Sequence, residues 1–171
     1  MDALSPDRVV PDLLAEVSAF VMEEARLLDD RQFDQWLALY TPDCRYWVPV
    51  SPEMTRPTDG VSHFHDDIQL MMARTHRLAN PRAFGAEPAP RTAHVVSGVR
   101  IERVEGDEIE VSSSQLMLEY RNRGQFEADQ RMFGGRVTHR LRRTPEGLKI
   151  ALKRVDLINA DAPFNAMAAP L

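Results

Sequence analysis

The chain has 171 residues and a formal net charge of -5, a length that suits one domain hiding roughly 70% of the surface its unfolded form would expose. Acidic and basic residues are mixed along it instead of blocked, which argues against an electrostatic nucleic-acid binder. Its one cysteine, Cys44, excludes an intramolecular disulfide, a cysteine-rich zinc site and a cysteine-ligated iron–sulfur cluster within one chain. Residues 1–7 lack a basic and apolar leader pattern, and no apolar run approaches the ~20 residues that span a bilayer. A cytoplasmic protein without membrane contact is the expectation.

Residues 1–10 are expected to be flexible, and residues 1–171 to form a single domain. From Leu13, the positions Leu14, Val17, Phe20, Val21, Ala25 and Leu28 follow the helical period, with Pro11 in the first turn. Asp29 and Asp30 then offer caps for a shorter helix along Phe33, Trp36, Leu37 and Tyr40, ended by Pro42. The helical part thus covers about 11–40. Residues 46–50 read as a short strand with Pro49 at an edge or end, and residues 51–62 as loop. A third helix is predicted over about 66–79, with Ile68, Met71, Met72, Thr75 and Leu78 on one face and Asp66 and Asp67 at its positive end.

Pro81, Gly85, Pro88 and Pro90 mark a loop, after which the period changes to two and a sheet is predicted over about 91–160. Val95, Ser97, Val99 and Ile101 alternate, and Gly106-Asp107 supplies a turn. In the next strand apolar residues move from odd positions (Ile109, Val111) to even ones (Leu116, Leu118, Tyr120), which predicts a bend across residues 112–114. Phe133, Gly135, Val137, His139 and Leu141 then share a dry face, opposite Arg136, Thr138, Arg140 and Arg142. Beyond the Pro145-Glu146-Gly147 turn, Leu148, Ile150 and Leu152 alternate with Lys149 and Lys153. Helices followed by an antiparallel meander predict an α+β domain, a strongly curved sheet closed by helices into a cone.

The run Leu37-Ala38-Leu39-Tyr40-Thr41-Pro42-Asp43 with Tyr46-Trp47-Val48-Pro49 resembles the start of the small (β) subunits of aromatic-ring-hydroxylating dioxygenases. His65-Asp66-Asp67, Leu70, residues 74–78, and Pro90-Arg91-Thr92-Ala93-His94-Val95 are similar to that family in order and spacing. Phe133-Gly134-Gly135-Arg136, Leu141-Arg142-Arg143 and Arg154-Val155-Asp156-Leu157-Ile158-Asn159 extend the likeness over nearly the whole chain. His65 and the tail at residues 166–171 depart from the usual pattern. The resemblance implies a cone-shaped roll of the nuclear-transport-factor-like or cystatin-like type. It also implies a trimer carrying three large (α) subunits, an α3β3 assembly that dihydroxylates an aromatic substrate, with an aromatic carboxylate as one candidate. The Rieske [2Fe-2S] cluster and the mononuclear Fe(II) are then expected in the α subunit, supplied with electrons by a reductase or ferredoxin. No cofactor, metal or catalytic residue is expected in this chain.

The alternative is a stand-alone cone-fold dehydratase or isomerase, with Tyr46, Asp66, His94 or His139 performing acid–base work in the cavity. A ligand-binding module built on the same cone is a third possibility. For His94 an inter-subunit hydrogen bond stands beside a satisfied structural role, and for His139 a hydrogen-bonded core residue is favoured over a base. His63, His65 and Asp66 have metal-ligand chemistry but read as polar loop residues. Trp47, Arg91, His94, Arg136 and Arg140 are the interface candidates, since aromatic rings and guanidinium groups are enriched at contacts between chains. Cys44 reads as a packed residue.

Overall fold

A computed structural model describes residues 6–80, 89–122, 128–162, 167 and 169–171. Helix α1 spans Pro6–Asp29 and α2 spans Phe33–Leu37, followed by β1 (Tyr40–Pro49), a 3-10 turn (Pro57–Asp59), β2 (Ser62–Asp66) and α3 (Ile68–Ala79). Four long strands complete the chain: β3 (Arg91–Glu105), β4 (Glu108–Asn122), β5 (Ala128–Thr144) and β6 (Gly147–Leu157). They form one sheet in the order β2-β1-β6-β5-β4-β3. Every neighbouring pair is antiparallel except β1 with β6, which run parallel. Helix α1 lies on β3, and α3 on β1 and β2. The core forms between sheet and helices from Val17, Val21, Leu28, Trp36, Tyr46, Met71, Val111, Val137, Ile150 and their neighbours.

The α+β cone follows from the order of the periodicities, but several local expectations are corrected. Helix α1 begins at Pro6, so the first-turn place assigned to Pro11 belongs to Pro6 and residues 6–10 are helical. The second helix stops at Leu37, and Tyr40 already belongs to β1. The Ile150 amide donates to the Leu39 carbonyl at 2.7 Å, so the chain turns extended as soon as the parallel partner is reached. Pro42 lies in the irregular stretch of that pairing, between Tyr40 and Arg45, where no ladder amide is required of it. His63 and His65 sit on strand β2, not in a loop, and α3 starts after Asp67, whose carboxylate accepts the Leu70 amide at 3.0 Å. The loop expected between Pro81 and Pro90 falls largely outside the described residues.

The predicted face change in β4 does not occur. Its odd residues face the core from Ile109 to Arg121, and its pairing with β5 is regular throughout. Hydrophobicity misled the assignment because the buried face turns polar there, with Ser113, Gln115, Glu119 and Arg121, while Leu116, Leu118 and Tyr120 point outward. The irregularities that bend the sheet lie elsewhere. Strand β3 slips against β4 between Ser97 and Arg100, where Gly98 adopts φ 62°, a conformation open to glycine at little cost. Strand β6 slips opposite Arg140 and Leu141, leaving Ala151 unpaired. One extra residue reverses the faces beyond it, so Lys153, expected outside with Lys149, is 1% exposed.

Gly135 marks a close strand approach: a Cβ there would sit 2.1 Å from the Asp156 carbonyl oxygen. Gly135→Ala is expected to cost about 1–3 kcal/mol, read as a lowered midpoint in urea unfolding. An unchanged midpoint would show that β5 and β6 can separate freely at this point.

Candidate functional site

Two polar constellations lie inside the cone. The first centres on Glu24, on the same face of α1 as Val17, Val21 and Leu28, and 2% exposed. Its carboxylate accepts four hydrogen bonds. Trp36 Nε1 (3.1 Å), Tyr40 Oη (3.1 Å) and Lys153 Nζ (2.9 Å) reach Oε1, while His139 Nε2 lies 2.9 Å from Oε2. Helix α2 positions Trp36, β1 positions Tyr40, β5 positions His139, and the Ala151 slip turns Lys153 inward. Burial alone would raise the Glu24 pKa, but the charges of Lys153 and His139, with their hydrogen bonds, hold it far below the usual carboxylate range. Burial first, and the nearby Glu24 charge second, push the Tyr40 phenol well above its ordinary value, so it remains a neutral donor.

The second constellation lies toward the β1–β2 side. Trp36, Tyr46, Phe64, Asp66, Met71, Arg74, Thr75 and Pro170 line a cavity of about 10 Å³, about the space of one water. Tyr46 Oη accepts the Leu171 amide at 2.9 Å. Asp66 is 2% exposed and forms an ion pair with Arg74 (Nε to Oδ2, 2.5 Å), whose guanidinium also lies over the Phe64 ring. Edge-on contacts of Trp36 with Tyr40 and with Tyr46 connect the two constellations.

The four residues of the acid–base alternative are therefore not assembled into one site. Tyr46 and Asp66 share the cavity and His139 is bound to Glu24. His94 lies on β3, where its Nδ1 meets Asp29 Oδ1 at 2.6 Å. Asp29 also accepts the His94 amide (2.8 Å) and the Thr92 hydroxyl (2.9 Å), so the Arg-Thr-x-His run clips the end of α1 to the sheet. Partial burial of Asp29 opposes ionisation, but these His94 and Thr92 bonds keep its pKa lowered. Among the interface candidates, Trp47 is buried beneath the Arg154 guanidinium at 4.4 Å and the His94 side chain is enclosed. Arg91, Arg136 and Arg140 are exposed on the sheet.

On β2, His63 and His65 alternate with the inward Phe64 and Asp66, and His63 Nε2 contacts the Ala160 carbonyl at 2.7 Å, so the three metal-type side chains do not converge. Among the described residues no group of three or more His, Cys, Asp or Glu side chains is placed to hold a metal ion. The Cys44 thiol is buried, and that burial pushes its pKa up to about 11, an inert packed group. Among the described residues no helix is long and apolar enough to cross a membrane.

Sequence reading missed Glu24 and Lys153. A carboxylate within the apolar stripe of α1 was the available signal for the first. The second required the one-residue slip in β6, which alternation does not reveal.

Helices packed on a curved, mostly antiparallel sheet define a cone-fold protein of the nuclear-transport-factor-like class. ActVI-ORFA of Streptomyces coelicolor shares the fold, with TM-score 0.61 at 18% identity over 86% of this chain and 98% of that one. The chain belongs to the ring-hydroxylating dioxygenase β-subunit family: the family profile described as "Ring hydroxylating beta subunit" matches residues 23–162. It is 35% identical to the chlorobenzene dioxygenase β subunit of Cupriavidus sp. strain PS12 over 88% of this chain and 84% of that protein. With the biphenyl 2,3-dioxygenase β subunit of Rhodococcus jostii RHA1 it shares 34% identity over 90% and 86%. The solved β subunit of benzoate 1,2-dioxygenase from Burkholderia mallei superposes with TM-score 0.69 at 26% identity, covering 93% of this chain and 94% of that one. The expected family and fold are thus borne out. As a β subunit, the chain serves an oxidoreductase that acts as a complex with an α partner.

Removing one partner of a buried ion pair strands the others, so Glu24→Gln is expected to cost about 3–5 kcal/mol at neutral pH by urea unfolding. Because the folded-state pKa of Glu24 is depressed, its contribution is present above its ordinary value of 4.5 and is lost as pH falls below it. The variant should therefore show a shallower loss of stability between about pH 5 and 3 than the parent chain. Equal acid slopes would contradict the ionised Glu24.

Proposed function

We propose that this chain is the assembly platform of an α3β3 dioxygenase, forming a trimer that fixes the spacing of three α subunits. In this reading the α subunit carries the Rieske [2Fe-2S] cluster and the mononuclear iron, receives electrons from a reductase or ferredoxin, and dihydroxylates an aromatic substrate in the cytoplasm. This chain's donor set does not fit either centre: a Rieske cluster takes two cysteines and two histidines, and the one cysteine, Cys44, is a buried packed residue. A mononuclear iron takes two histidines and a carboxylate, and among the described residues no three such side chains converge. Relatives named for benzene and for benzoate leave both neutral hydrocarbons and aromatic carboxylates as substrate classes.

The outer face of the sheet carries the proposal. Val95 is 56% exposed, Leu116 38% and Met132 62%. They lie side by side, since Val95 pairs with Leu116 across β3–β4, and Met132 pairs with Leu118 across β4–β5. A two-sided sheet whose outer side is apolar is expected where another chain covers it. Arg91, stacked on Tyr120 at 4.8 Å, together with Arg136 and Arg140, forms the charged rim. His94 acts one layer beneath, tying β3 to Asp29 at the end of α1, while Trp47 on β1 is engaged with Ser62 and Arg154 away from this patch. The cavity of about 10 Å³ is far below the size that surrounds a substrate, roughly 300–1,000 Å³.

Purified alone, the chain is expected to be iron-free and inactive, and to form a hexamer with dioxygenase activity when produced with its α partner. Leu116→Glu and Met132→Glu should weaken assembly by size-exclusion chromatography while changing the stability of the isolated chain by less than about 1 kcal/mol. Iron binding with turnover by the isolated chain would refute the platform role.

A further inference from the structure

The cavity beneath Tyr46 has the chemistry of a ligand site and is closed by the chain itself. Its walls are the rings of Trp36, Tyr46 and Phe64 and the thioether of Met71. Most of the polar groups along it are already engaged: Trp36 Nε1 by Glu24, the Thr75 hydroxyl by the Met71 and Met72 carbonyls of its own helix, and Asp66 by Arg74. The Tyr46 oxygen accepts the Leu171 amide, Pro170 supplies the last wall, and the Leu171 side chain is wholly buried in the core. Residues 169–171 therefore offer an aromatic-lined hole an apolar body and one hydrogen-bond donor.

We propose that the cone interior is a binding site for a small neutral aromatic molecule bearing one hydrogen-bond donor, with residues 169–171 as its built-in competitor. The ligand's ring takes the place of Pro170 beside Trp36 and Phe64, its donor replaces the Leu171 amide on Tyr46, and the buried Leu171 side chain anchors the segment that must leave. Charged ligands are rejected, because Arg74 is already neutralised by Asp66 and a buried carboxylate would stay unmatched. Apolar holes left by one missing leucine side chain accept benzene-sized molecules, and a segment that occupies the site multiplies apparent affinity by the fraction of time the site is vacated. The proposal is independent of the assembly role.

The test titrates the full chain and its Leu171→Ala variant with phenol, benzene and benzoate, following the Trp36 indole resonance by NMR. Leu171→Ala should bind phenol about tenfold or more tightly than the parent chain, with benzene weaker and benzoate weakest. Adding Tyr46→Phe should erase the preference of phenol over benzene. A folded Leu171→Ala chain indifferent to phenol, or a phenol preference that survives Tyr46→Phe, overturns the proposal. Should Leu171→Ala not fold alone, refolding induced by phenol and not by benzoate supports it, and failure to refold with phenol overturns it.

Discussion

One carboxylate organises this molecule. Glu24 is removed from water on the apolar face of α1, and an isolated ion there would cost several kcal/mol. The cost is offset because four donors converge on it from α2, β1, β5 and β6. Each donor comes from a different element, so the carboxylate is satisfied only when helix, parallel strand and meander reach their mutual positions together. Buried polar networks of this kind discriminate between packings that hydrophobic contacts alone would tolerate.

Two further ties locate the helices on the sheet. Asp29, placed at the α1 terminus where a negative charge opposes the helix dipole, is compensated by three donors from Thr92 and His94. Two residues on, Arg31 adopts φ 55° and donates to the Leu78 carbonyl at 2.7 Å, joining the turn after α1 to the end of α3. The helical layer is held at both ends of this turn, and the sheet's opposite face is left available. That division between an inner face tied to its helices and an apolar outer face is what the proposed platform role requires.

The architecture was legible because helical periodicity and alternation occupy separate halves of the chain, and the family likeness extended across both. Local faces were less legible where burial and hydrophobicity diverge. In β4 the buried side chains beyond Val111 are Ser113, Gln115, Met117, Glu119 and Arg121, mostly polar, whereas the apolar Leu116 and Leu118 look outward, so a pattern rule inverted inside and outside. In β6 the alternation was correct up to Ile150 and failed after the unpaired Ala151, which carried Lys153 into the core. Tyr46 and Asp66 were recognised as chemically interesting, but their neighbourhood depends on a tail segment more than a hundred residues away, with 125 positions separating Tyr46 from Leu171. His94 was left between an inter-subunit and a structural role, and its contact with Asp29, 65 positions away, could not be read from the pattern.

The parallel pairing of β1 with β6 carries a consequence for synthesis. Tyr40 aligns with Ile150, and Glu24 meets Lys153 across 129 positions of chain. A ribosome delivers α1 and β1 long before their partners, so the growing polypeptide exposes an unmatched ion and an unpaired strand edge until its last strand emerges. Structural commitment is thereby deferred until β6 has emerged, and the interval before it is when association with other nascent chains is most hazardous.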